Sequence, residues 1–352
     1  MEESGISIII PCRNEGKFIR QCLDSVIAQD YPKGKLEVLV VDGLSQDNTR
    51  QIVERYAGQY PFIKLLENPK KVIPTAMNIG IRSAKADIVM KIDAHTVYEK
   101  DYIAKCVKYL NEYSADNVGG LAIAVPRNGT LVAKAIVISL SHPFGVGNSY
   151  FRVGLNQPRW ADTAFSGCYR REVFERIGLY NENIARSEDV DANSRLRRAG
   201  GKILLVPEIK AYYYARSRFR EFIAHNFDNG VWITYPLKFG RVLFSWRHLV
   251  PLIFVSSLIA TALLSFSVVA FFWLFLFIAG CYVLANLYFS FRIAIRERSL
   301  KYLCLMPIVF VMLHVGYGLG SIWGLLLVAV SGRFYSTRWC DGVEEANRKN
   351  IL

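Results

Sequence analysis

An acidic side chain and an imidazole lie two residues apart at Asp93 and His95, directly after the strand-like run 86–92. Carboxylate oxygens and imidazole nitrogens are common ligands of divalent cations, and a bound cation can in turn hold a diphosphate. Imidazole favours Mn²⁺ over Mg²⁺, but a structural histidine in a loop, with Asp93 as the only protein ligand, is an open alternative. The pair indicates a nucleotide-using enzyme only if the neighbouring sequence predicts a fold that binds nucleotides.

The surroundings are an alternation of strands and helices. Apolar, β-branched runs predict strands at 6–10, 36–41, 63–66 and 88–92. Helical spacing of apolar residues predicts helices at 14–30, 47–60 and 74–84. This alternation predicts an α/β fold, with a parallel sheet and helices on both of its faces. Ligands of such sheets bind beyond the carboxyl ends of the strands, where the polar clusters 11–15, 42–43 and 93–95 all lie.

Beyond residue 125 the alternation is less regular. Residues 141–152 predict a loop able to shape or close over a site. The following elements are predicted as helices at 170–177 and 188–199 and a strand at 202–206. Residues 216–246 mix Arg and Lys with aromatic side chains, which is typical of helices that lie on a membrane surface.

The C-terminal third of the chain is apolar. Residues 249–291 contain no Asp, Glu, Lys, Arg or His, a stretch about twice the ~20 residues that cross a bilayer once. We predict two spanning helices here, joined by a turn near Ser265. The next apolar run, 304–331, contains four glycines and either spans once or forms a bent re-entrant pair. Arg and Lys flank the first two spans at 238–247 and 292–301, which predicts that both flanks are cytoplasmic.

The overall composition limits the partners. The net charge of +13 indicates affinity for anionic lipid and for phosphates rather than for nucleic acid. Seven cysteines, without a Cys-x-x-Cys motif, favour scattered reduced thiols over a zinc site or a disulfide framework. The acidic segment at 1–5 does not resemble a signal peptide, so we expect the first domain to be cytoplasmic.

Six short motifs follow one another along the first two thirds of the chain. They are Pro-Cys-Arg-Asn-Glu at 11–15, Val-Asp-Gly at 41–43, Asn-Ile-Gly at 78–80, Asp-Ala-His at 93–95, Gly-Cys-Tyr-Arg-Arg at 167–171 and Ser-Glu-Asp at 187–189. Their order and spacing resemble those of family 2 inverting glycosyltransferases of the GT-A fold, over residues 5–235. Within that family, the chain is most similar to the succinoglycan-type enzymes, which are attached to membranes. The resemblance implies a Rossmann-like, mostly parallel sheet followed by C-terminal transmembrane helices.

The resemblance also implies a nucleotide site at the strand ends. Its residues would be Pro11, Arg13, Glu15, Asp42, Gly43, Asn78 and Asp93. Asp42 would bond the base, while Asp93 and His95 would hold Mn²⁺ or Mg²⁺ at the diphosphate. From the residues alone, Asp42 also fits a turn acid, and Arg13 and Glu15 also fit solvated charges near a helix end.

A second site follows from Glu188 and Asp189. Inversion needs a base that removes the proton of an acceptor hydroxyl while its oxygen attacks the anomeric carbon. By resemblance Asp189 is that base, with Glu188 beside it and Asp191 as the second candidate. Favourable electrostatics at a helix N-terminus would explain the same acids without catalysis. The candidate acceptor-binding residues are Trp160, Asp162 and Gly167.

Together these features predict a cytoplasmic catalytic domain at 1–235, amphipathic interfacial helices at 216–248, a membrane region at 249–331 with two to four spans or re-entrant segments, and a polar tail at 332–352. The predicted function is metal-dependent transfer of one hexose-type sugar from a nucleotide sugar to a lipid-linked, polyprenyl-type saccharide in surface polysaccharide or glycan synthesis. Single addition is predicted because residues 226–232 lack the Gln-x-x-Arg-Trp motif of processive relatives. Two alternatives remain open: transfer to polyprenyl phosphate itself, and a non-catalytic membrane scaffold for a glycan synthase.

Overall fold

The structure is a computed structural model that describes residues 4–242 and 245–330. These residues form two compact units. One unit contains the chain up to Ile123 together with Gly154–Tyr213, and the other contains Ala124–Val153 together with the chain from Tyr214 onwards. The predicted polar tail at 332–352 lies outside the described residues.

The first unit is built on one sheet. Its strands are β1 (Ile6–Cys12), β2 (Leu36–Asp42), β3 (Ile63–Glu67), β4 (Ile88–Lys91), β5 (Thr96–Tyr98), β6 (Asn117–Pro126), β7 (Arg159–Trp160), β8 (Phe165–Arg170) and β9 (Ile203–Ala215). Eight of the nine strands follow the order β3-β2-β1-β4-β8-β6-β9-β5, and the ninth, β7, pairs with β9.

Half of this sheet is parallel, as the sequence predicts. β1 pairs in parallel with β2 on one side and with β4 on the other, and β2 pairs in parallel with β3. All seven residues of β1 are buried, which explains why its sequence is a continuous apolar run rather than an alternating one. The α/β class is therefore confirmed.

The other half adds antiparallel pairs. β8 runs antiparallel to both β4 and β6, and β9 runs antiparallel to β5 and β7. β9 is longer than the strand predicted at 202–206, because its second part pairs with β5 from Ala211 to Tyr213. The antiparallel strands thus extend the sheet from β4 on the side away from β1.

The helices of the described residues run through both units. They are α1 (Ile19–Ile27), α2 (Thr49–Gln59), α3 (Ile73–Ser83), α4 (Tyr102–Glu112), α5 (Leu131–Leu140), α6 (Pro143–Val146), α7 (Tyr150–Val153), α8 (Glu172–Ile177), α9 (Glu188–Arg198), α10 (Phe219–Thr234), α11 (Trp246–Leu264), α12 (Val269–Arg296) and α13 (Lys301–Val330). The segment 141–152, for which the sequence predicts a loop, contains the single-turn helices α6 and α7. Pro143 suits the first turn of α6, and His142 Nδ1 caps it by accepting from the Phe144 N–H at 3.1 Å.

The core of the first unit lies between the sheet and its helices. Ile8 and Val40 of the sheet pack in one cluster with Leu23 of α1, Val53 of α2 and Ile103 of α4, all of them at most 1% exposed. Burying a side chain of this size contributes about 1.5–3 kcal/mol. The continuous core fixes the strand ends, and with them the loops that carry the predicted site.

Among its described residues, the second unit contains three helices that are long and apolar enough to cross a membrane, α11, α12 and α13. The turn expected near Ser265 lies between α11 and α12. The glycine-rich run in the third region lies inside one continuous helix of 30 residues, so the bent re-entrant alternative does not describe it.

The glycines of α13 let α10 pack closely against it. A Cβ atom at Gly320 would lie 1.9 Å from the Phe227 carbonyl oxygen, and one at Gly230 of α10 would lie 2.1 Å from the Tyr317 carbonyl oxygen. The Thr234 hydroxyl donates to the Ser321 carbonyl at 2.9 Å across the same contact. Close backbone approach of this kind is typical of helix pairs that contain small residues.

Candidate active site at the carboxyl ends of β1, β2 and β4

The loops that follow β1 and β2 bind each other. The Asn14 N–H donates to Ser45 Oγ at 2.9 Å, and the Gly16 N–H donates to Asp47 Oδ2 at 3.0 Å. Asn14 has a left-handed backbone, with φ of 56°. Glu15 joins the contact through its N–H, which donates to Thr49 Oγ1 at 2.7 Å. The two predicted nucleotide segments are therefore held as one surface.

Asp42 ends β2 and is fully buried. Its carboxylate accepts from the Ser45 N–H at 3.1 Å and from the Ser45 hydroxyl, and the Cys12 thiol lies 3.9 Å away. Asp42 thus stabilises its own turn, which was one of the two roles that the sequence allows. A bond from Asp42 to a nucleotide base stays a prediction.

Arg13 lies over Gly43. A Cβ atom at Gly43 would meet Arg13 Cβ and Cδ at 3.2 Å, so glycine lets the arginine side chain cross the end of β2. Pro11 lies opposite Val41 in the parallel ladder. These contacts bring predicted nucleotide residues of β1 and β2 together.

Asn78 has a structural role within the first unit. Its amide nitrogen donates to the Tyr180 carbonyl at 2.9 Å and to Glu182 Oε1 at 3.0 Å, and its amide oxygen accepts from the Tyr180 N–H at 2.9 Å. The side chain is buried on α3. Asn78 therefore anchors the segment that leads to Glu188, and a contact with nucleotide stays a prediction.

The Asp93–His95 loop lies next to the loop of β1. His95 Nδ1 is 3.5 Å from Glu15 Oε1, with the imidazole 44% exposed. The Asp93 N–H donates to the Tyr98 hydroxyl at 3.0 Å, and that hydroxyl lies 2.8 Å from Ser166 Oγ. The backbone of Asp93 is thereby fixed while its carboxylate stays 23% exposed.

Lys91, which sequence reasoning missed, connects the two halves of the site. Its ammonium lies 2.7 Å from Glu188 Oε1 and 3.6 Å from Asp93 Oδ1, although Lys91 and Glu188 are 97 residues apart. Burial lowers the pKa of Lys91, but Glu188, Asp93 and Asp189 outweigh this and raise it well above its usual range. Burial raises the pKa of Glu188 while Lys91 opposes the rise. The short contact is typical of an ionised pair.

The three acids of α9 have different surroundings. Glu188 is buried against Lys91. Asp191 is buried and pairs with Arg195 Nε at 2.9 Å, so it serves the packing of the helix. Asp189 is half-buried, and its Oδ1 accepts from the Val190 N–H at 2.9 Å. Among these three, Asp189 has the carboxylate that is most open to a substrate.

Ser187 precedes these acids in a left-handed conformation, with φ of 60°. A serine directly before a helix commonly caps it, but within the described residues the Ser187 hydroxyl makes no capping hydrogen bond. The reason is its backbone, because a capping side chain needs the extended conformation typical of an N-cap residue. Ser187 instead accepts at its carbonyl from the Asp191 N–H at 3.1 Å.

The residues present fit a cation that is shared with substrate. In the part of the chain that the structure describes, no group of three or more His, Cys, Asp and Glu side chains could hold a metal ion. Mg²⁺ and Mn²⁺ sites at phosphates need only one or two protein ligands, because phosphate oxygens and waters supply the rest. Asp93 and His95, which are both partly exposed and lie on one loop, match that smaller requirement.

The predicted acceptor residues are spread out. Trp160 is 49% exposed and packs edge-on against Tyr113 at 6.3 Å, and it pairs with Leu204 at the start of β9. The site loop meets the other end of β9, where Thr96 pairs with Tyr213, roughly 30 Å further along an extended strand. Thr163, three residues after Trp160, accepts from the Asn193 amide of α9 at 2.9 Å, and a contact of Trp160 with acceptor stays a prediction.

The other two candidates lie between β7 and β8. Asp162 is half-buried in the connecting loop. Gly167 is buried in β8, where a Cβ atom would meet Asn117 Oδ1 and Tyr169 Cε2 at 2.6 Å. Glycine is thus required at this position for packing, and its contact with acceptor stays a prediction.

A partly parallel sheet with polar loops at the carboxyl ends of β1, β2 and β4 has the arrangement of a nucleotide-binding α/β domain. Residues 7–178 match the family model for glycosyl transferase family 2. The chain accordingly carries a glycosyl transferase family 2 domain over these residues.

The chain is similar to named relatives over most of its length. The chain is 27% identical over 330 residues, 91% of its own length and 97% of the relative's, to dolichyl N-acetyl-alpha-D-glucosaminyl phosphate 3-beta-D-2,3-diacetamido-2,3-dideoxy-beta-D-glucuronosyltransferase of Methanococcus voltae. It is 28% identical to the succinoglycan biosynthesis protein ExoA of Rhizobium meliloti, over 69% of this chain and 80% of ExoA. The fold is similar to that of the mannosyltransferase PcManGT from Pyrobaculum calidifontis, solved with GDP-Man and Mn²⁺, with a TM-score of 0.57, 20% identity and coverage of 90% and 88% of the two chains.

Proposed function

We propose that the protein is a membrane-bound inverting glycosyltransferase that moves one sugar from a nucleotide sugar to a lipid-linked saccharide. The observation that carries the proposal is the contact of Lys91 with both Asp93 and Glu188. This contact joins the loop suited to a diphosphate with the helix turn that carries Asp189. A sugar-nucleotide site and a base for an acceptor hydroxyl thus occur in one cluster.

In the proposed reaction, Asp189 accepts the proton of the acceptor hydroxyl. The hydroxyl oxygen forms a bond to the anomeric carbon as the bond from that carbon to the diphosphate oxygen breaks on the opposite face, which inverts the configuration. The loops of β1 and β2 would hold the nucleotide. Asp93 and His95 would hold the divalent cation, which when bound neutralises charge on the leaving diphosphate.

The acceptor is proposed from three features. The Methanococcus relative is named for a lipid-linked saccharide acceptor, and ExoA is named for synthesis of a polysaccharide. Three helices are apolar enough to cross a membrane. The clusters of Arg and Lys that flank α11 and α12 favour a multi-pass chain whose catalytic domain faces the cytoplasm. The proposal keeps catalysis within residues 1–235 and attachment within 249–331.

The test is release of nucleoside diphosphate by the purified full chain in detergent. A panel of nucleotide sugars is assayed with Mn²⁺, with Mg²⁺ and with a chelator, in the presence and absence of extracted lipid-linked saccharide. We expect release from one sugar donor that requires both a cation and the lipid extract. Asp189→Asn should reduce this release by about 10²–10⁴-fold, the usual range for loss of a general base.

A matched variant separates catalysis from any effect of losing a carboxylate. Asp101, directly before α4, is an exposed acid that pairs with Lys105. Asp101→Asn should leave the release of nucleoside diphosphate unchanged. Release onto polyprenyl phosphate alone that tolerates Asp189→Asn would instead favour the initiating transferase, because a phosphate has no proton to lose. Absence of both release and nucleotide binding with every sugar donor would favour the scaffold.

A further inference from the structure

The geometry points to Lys91 as a positioning residue that, through its ion pair with Glu188, holds the first turn of α9 so that Asp189 faces the acceptor hydroxyl. This inference rests on the proposed function. It assigns a role to a residue that belongs to none of the six motifs.

The location of Lys91 is unusual for a lysine. It ends β4, which lies inside the sheet between β1 and β8, and the side chain is only 12% exposed. Lysine is almost never buried unless its charge is paired. Glu188 supplies the pair at 2.7 Å and is itself 5% exposed. Because removing either partner would leave a buried charge without compensation, the contact strongly constrains both segments.

The constraint acts on the residue next to the proposed base. Glu188 is the first residue of α9 and Asp189 is the second, so a fixed Glu188 side chain fixes the direction in which the next Cα–Cβ bond points. The Asp189 carboxylate accepts a hydrogen bond from the adjacent Val190 N–H, which does not tie it to the rest of the unit. Its placement therefore depends on its neighbours.

The backbone before Glu188 shows why an anchor is needed. Ser187 is left-handed, a conformation that is unfavourable for a non-glycine residue and persists only where the surroundings impose it. The Lys91–Glu188 pair lies directly after this residue. It ties the turn to β4, inside the sheet.

Lys91 also contacts Asp93, at 3.6 Å. One ammonium thus touches the loop of the proposed diphosphate site and the turn of the proposed base. A direct bond from Lys91 to the sugar donor is the competing role. The two roles differ in what they control, because a donor ligand sets affinity for the nucleotide sugar whereas a positioning residue sets the rate of the bound complex.

The experiment compares four full-length proteins in detergent: wild type, Lys91→Met, Glu188→Gln and the Lys91→Met/Glu188→Gln double variant. For each, kcat of transfer to the lipid-linked saccharide, the dissociation constant of the nucleotide sugar by calorimetry and the thermal midpoint are measured. We expect Lys91→Met to lower kcat roughly 10- to 100-fold, the loss typical of a small misplacement of a reacting group, with the dissociation constant changed less than about twofold.

The double variant keeps the inference falsifiable if the single variants unfold, because it removes the uncompensated carboxylate together with the lysine. Its kcat should match that of Lys91→Met, since the two residues act as one unit. Lys64→Met is the matched control: it also breaks a Lys–Glu pair on the sheet, with Glu37 at 2.8 Å, but the lysine is 45% exposed. Its kcat should equal that of the wild type.

Three results would overturn the inference. They are an unchanged kcat in Lys91→Met, a rise in the dissociation constant that accounts for the whole loss of activity, and a double variant whose loss is the product of the single losses. An inactive wild type is a different result, because it would refute the proposed transferase rather than the role of Lys91 within it.

Discussion

At the scale of single residues, neighbouring carboxylates of the site have very different partners. Asp191 is held by Arg195, whose guanidinium also donates to the carbonyls of Ile177 and Gly178. Asp189, two residues away, accepts instead from the N–H of the adjacent Val190. Position along a helix turn therefore separates an acid that stabilises the fold from one that is available for chemistry.

We expect Asp191→Asn to destabilise the protein by about 3 kcal/mol, because it leaves the buried Arg195 charge without its partner. The folded fraction should keep its kcat. Thermal unfolding in detergent and the rate per nucleotide-binding site test both statements. Asp189→Asn is the comparison, since it should be as stable as the wild type and inactive. A stable but inactive Asp191→Asn would make Asp191 the base instead.

The sequence predicts some of these residues and not others for physical reasons. Asp93 and Glu188 are predicted because they belong to short motifs whose order along the chain resembles that of a known family. Lys91 is missed because a lysine inside a strand pattern is ordinarily taken as solvent-facing, and its partner is 97 residues away. The position of Trp160 could not be predicted because it depends on the pairing of β7 with β9, which are distant in sequence.

At the scale of elements, the site depends on two loops that bind each other. Asp47 accepts from the N–H groups of Thr49 and Gly16, both at 3.0 Å, and so joins the loop of β2 to that of β1. A Cβ atom at Gly16 would lie 1.9 Å from Asn48 Oδ1, which shows how closely the loops approach. Partial burial raises the pKa of Asp47, but these hydrogen bonds outweigh it and lower the pKa below its ordinary value.

This lowered pKa predicts a pH dependence. Because the folded state binds the Asp47 proton less tightly, the stabilisation is present above the unfolded pKa of about 3.9 and is lost as the pH falls through the folded value. Asp47→Asn should cost about 0.5–1 kcal/mol at pH 7, a small value because the group is exposed. The difference between variant and wild type should vanish at acidic pH. A difference that is constant from pH 7 to pH 3 would contradict this account.

The two halves of the sheet were not equally predictable. β1, β2 and β4 carry largely buried apolar runs, and helices alternate with the strands from β1 to β4, so their order and direction follow from local pattern. β6 and β8 contain glycines instead, and Gly119 and Gly120 would each place a Cβ atom within 2.4 Å of a backbone oxygen. Such strands are specified by close contact with distant segments, which no short pattern reveals.

The pairing of α10 with α13 gives a second prediction at this scale. Gly320→Ala should lower the thermal midpoint by several degrees, because the new methyl group would lie 1.9 Å from the Phe227 carbonyl oxygen. That oxygen belongs to the backbone of α10, so the clash can be relieved only by moving the two helices apart. Gly280→Ala, in the middle of α12, is the matched control, since a Cβ atom there meets nothing within 4 Å. Equal midpoints for the two variants would show that α10 and α13 separate without cost.

At the scale of the whole molecule, the second unit is formed by two segments that are separated in the sequence. Residues 124–153 belong with the C-terminal helices although they lie between β6 and β7 in the sequence. Ala135 and Ile136 of α5 share a buried cluster with Phe310 of α13, and Phe144 stacks on Phe289 of α12 at 4.7 Å. A part of the chain between two strands of the catalytic sheet is thus built into the unit that carries the three apolar helices.

This organisation predicts how the rate depends on dilution, if the proposed acceptor is correct. An enzyme and an acceptor confined to one bilayer meet at a concentration set by the surface, not by the volume of buffer. We therefore expect proteoliposomes diluted about tenfold with buffer, at saturating nucleotide sugar, to keep the same rate per enzyme. Dilution of the lipid-linked acceptor about tenfold with phospholipid should instead lower the rate up to tenfold when the acceptor is not saturating.

The control is a water-soluble acceptor that carries the same saccharide on a short alkyl chain. Its rate should fall with buffer dilution, because it is not confined to the surface. The catalytic residues are identical in both assays, so any difference between the two acceptors reports confinement by the second unit and not the chemistry at Asp189. A lipid-linked acceptor whose rate follows the bulk volume would show that the three helices anchor the chain without presenting the acceptor.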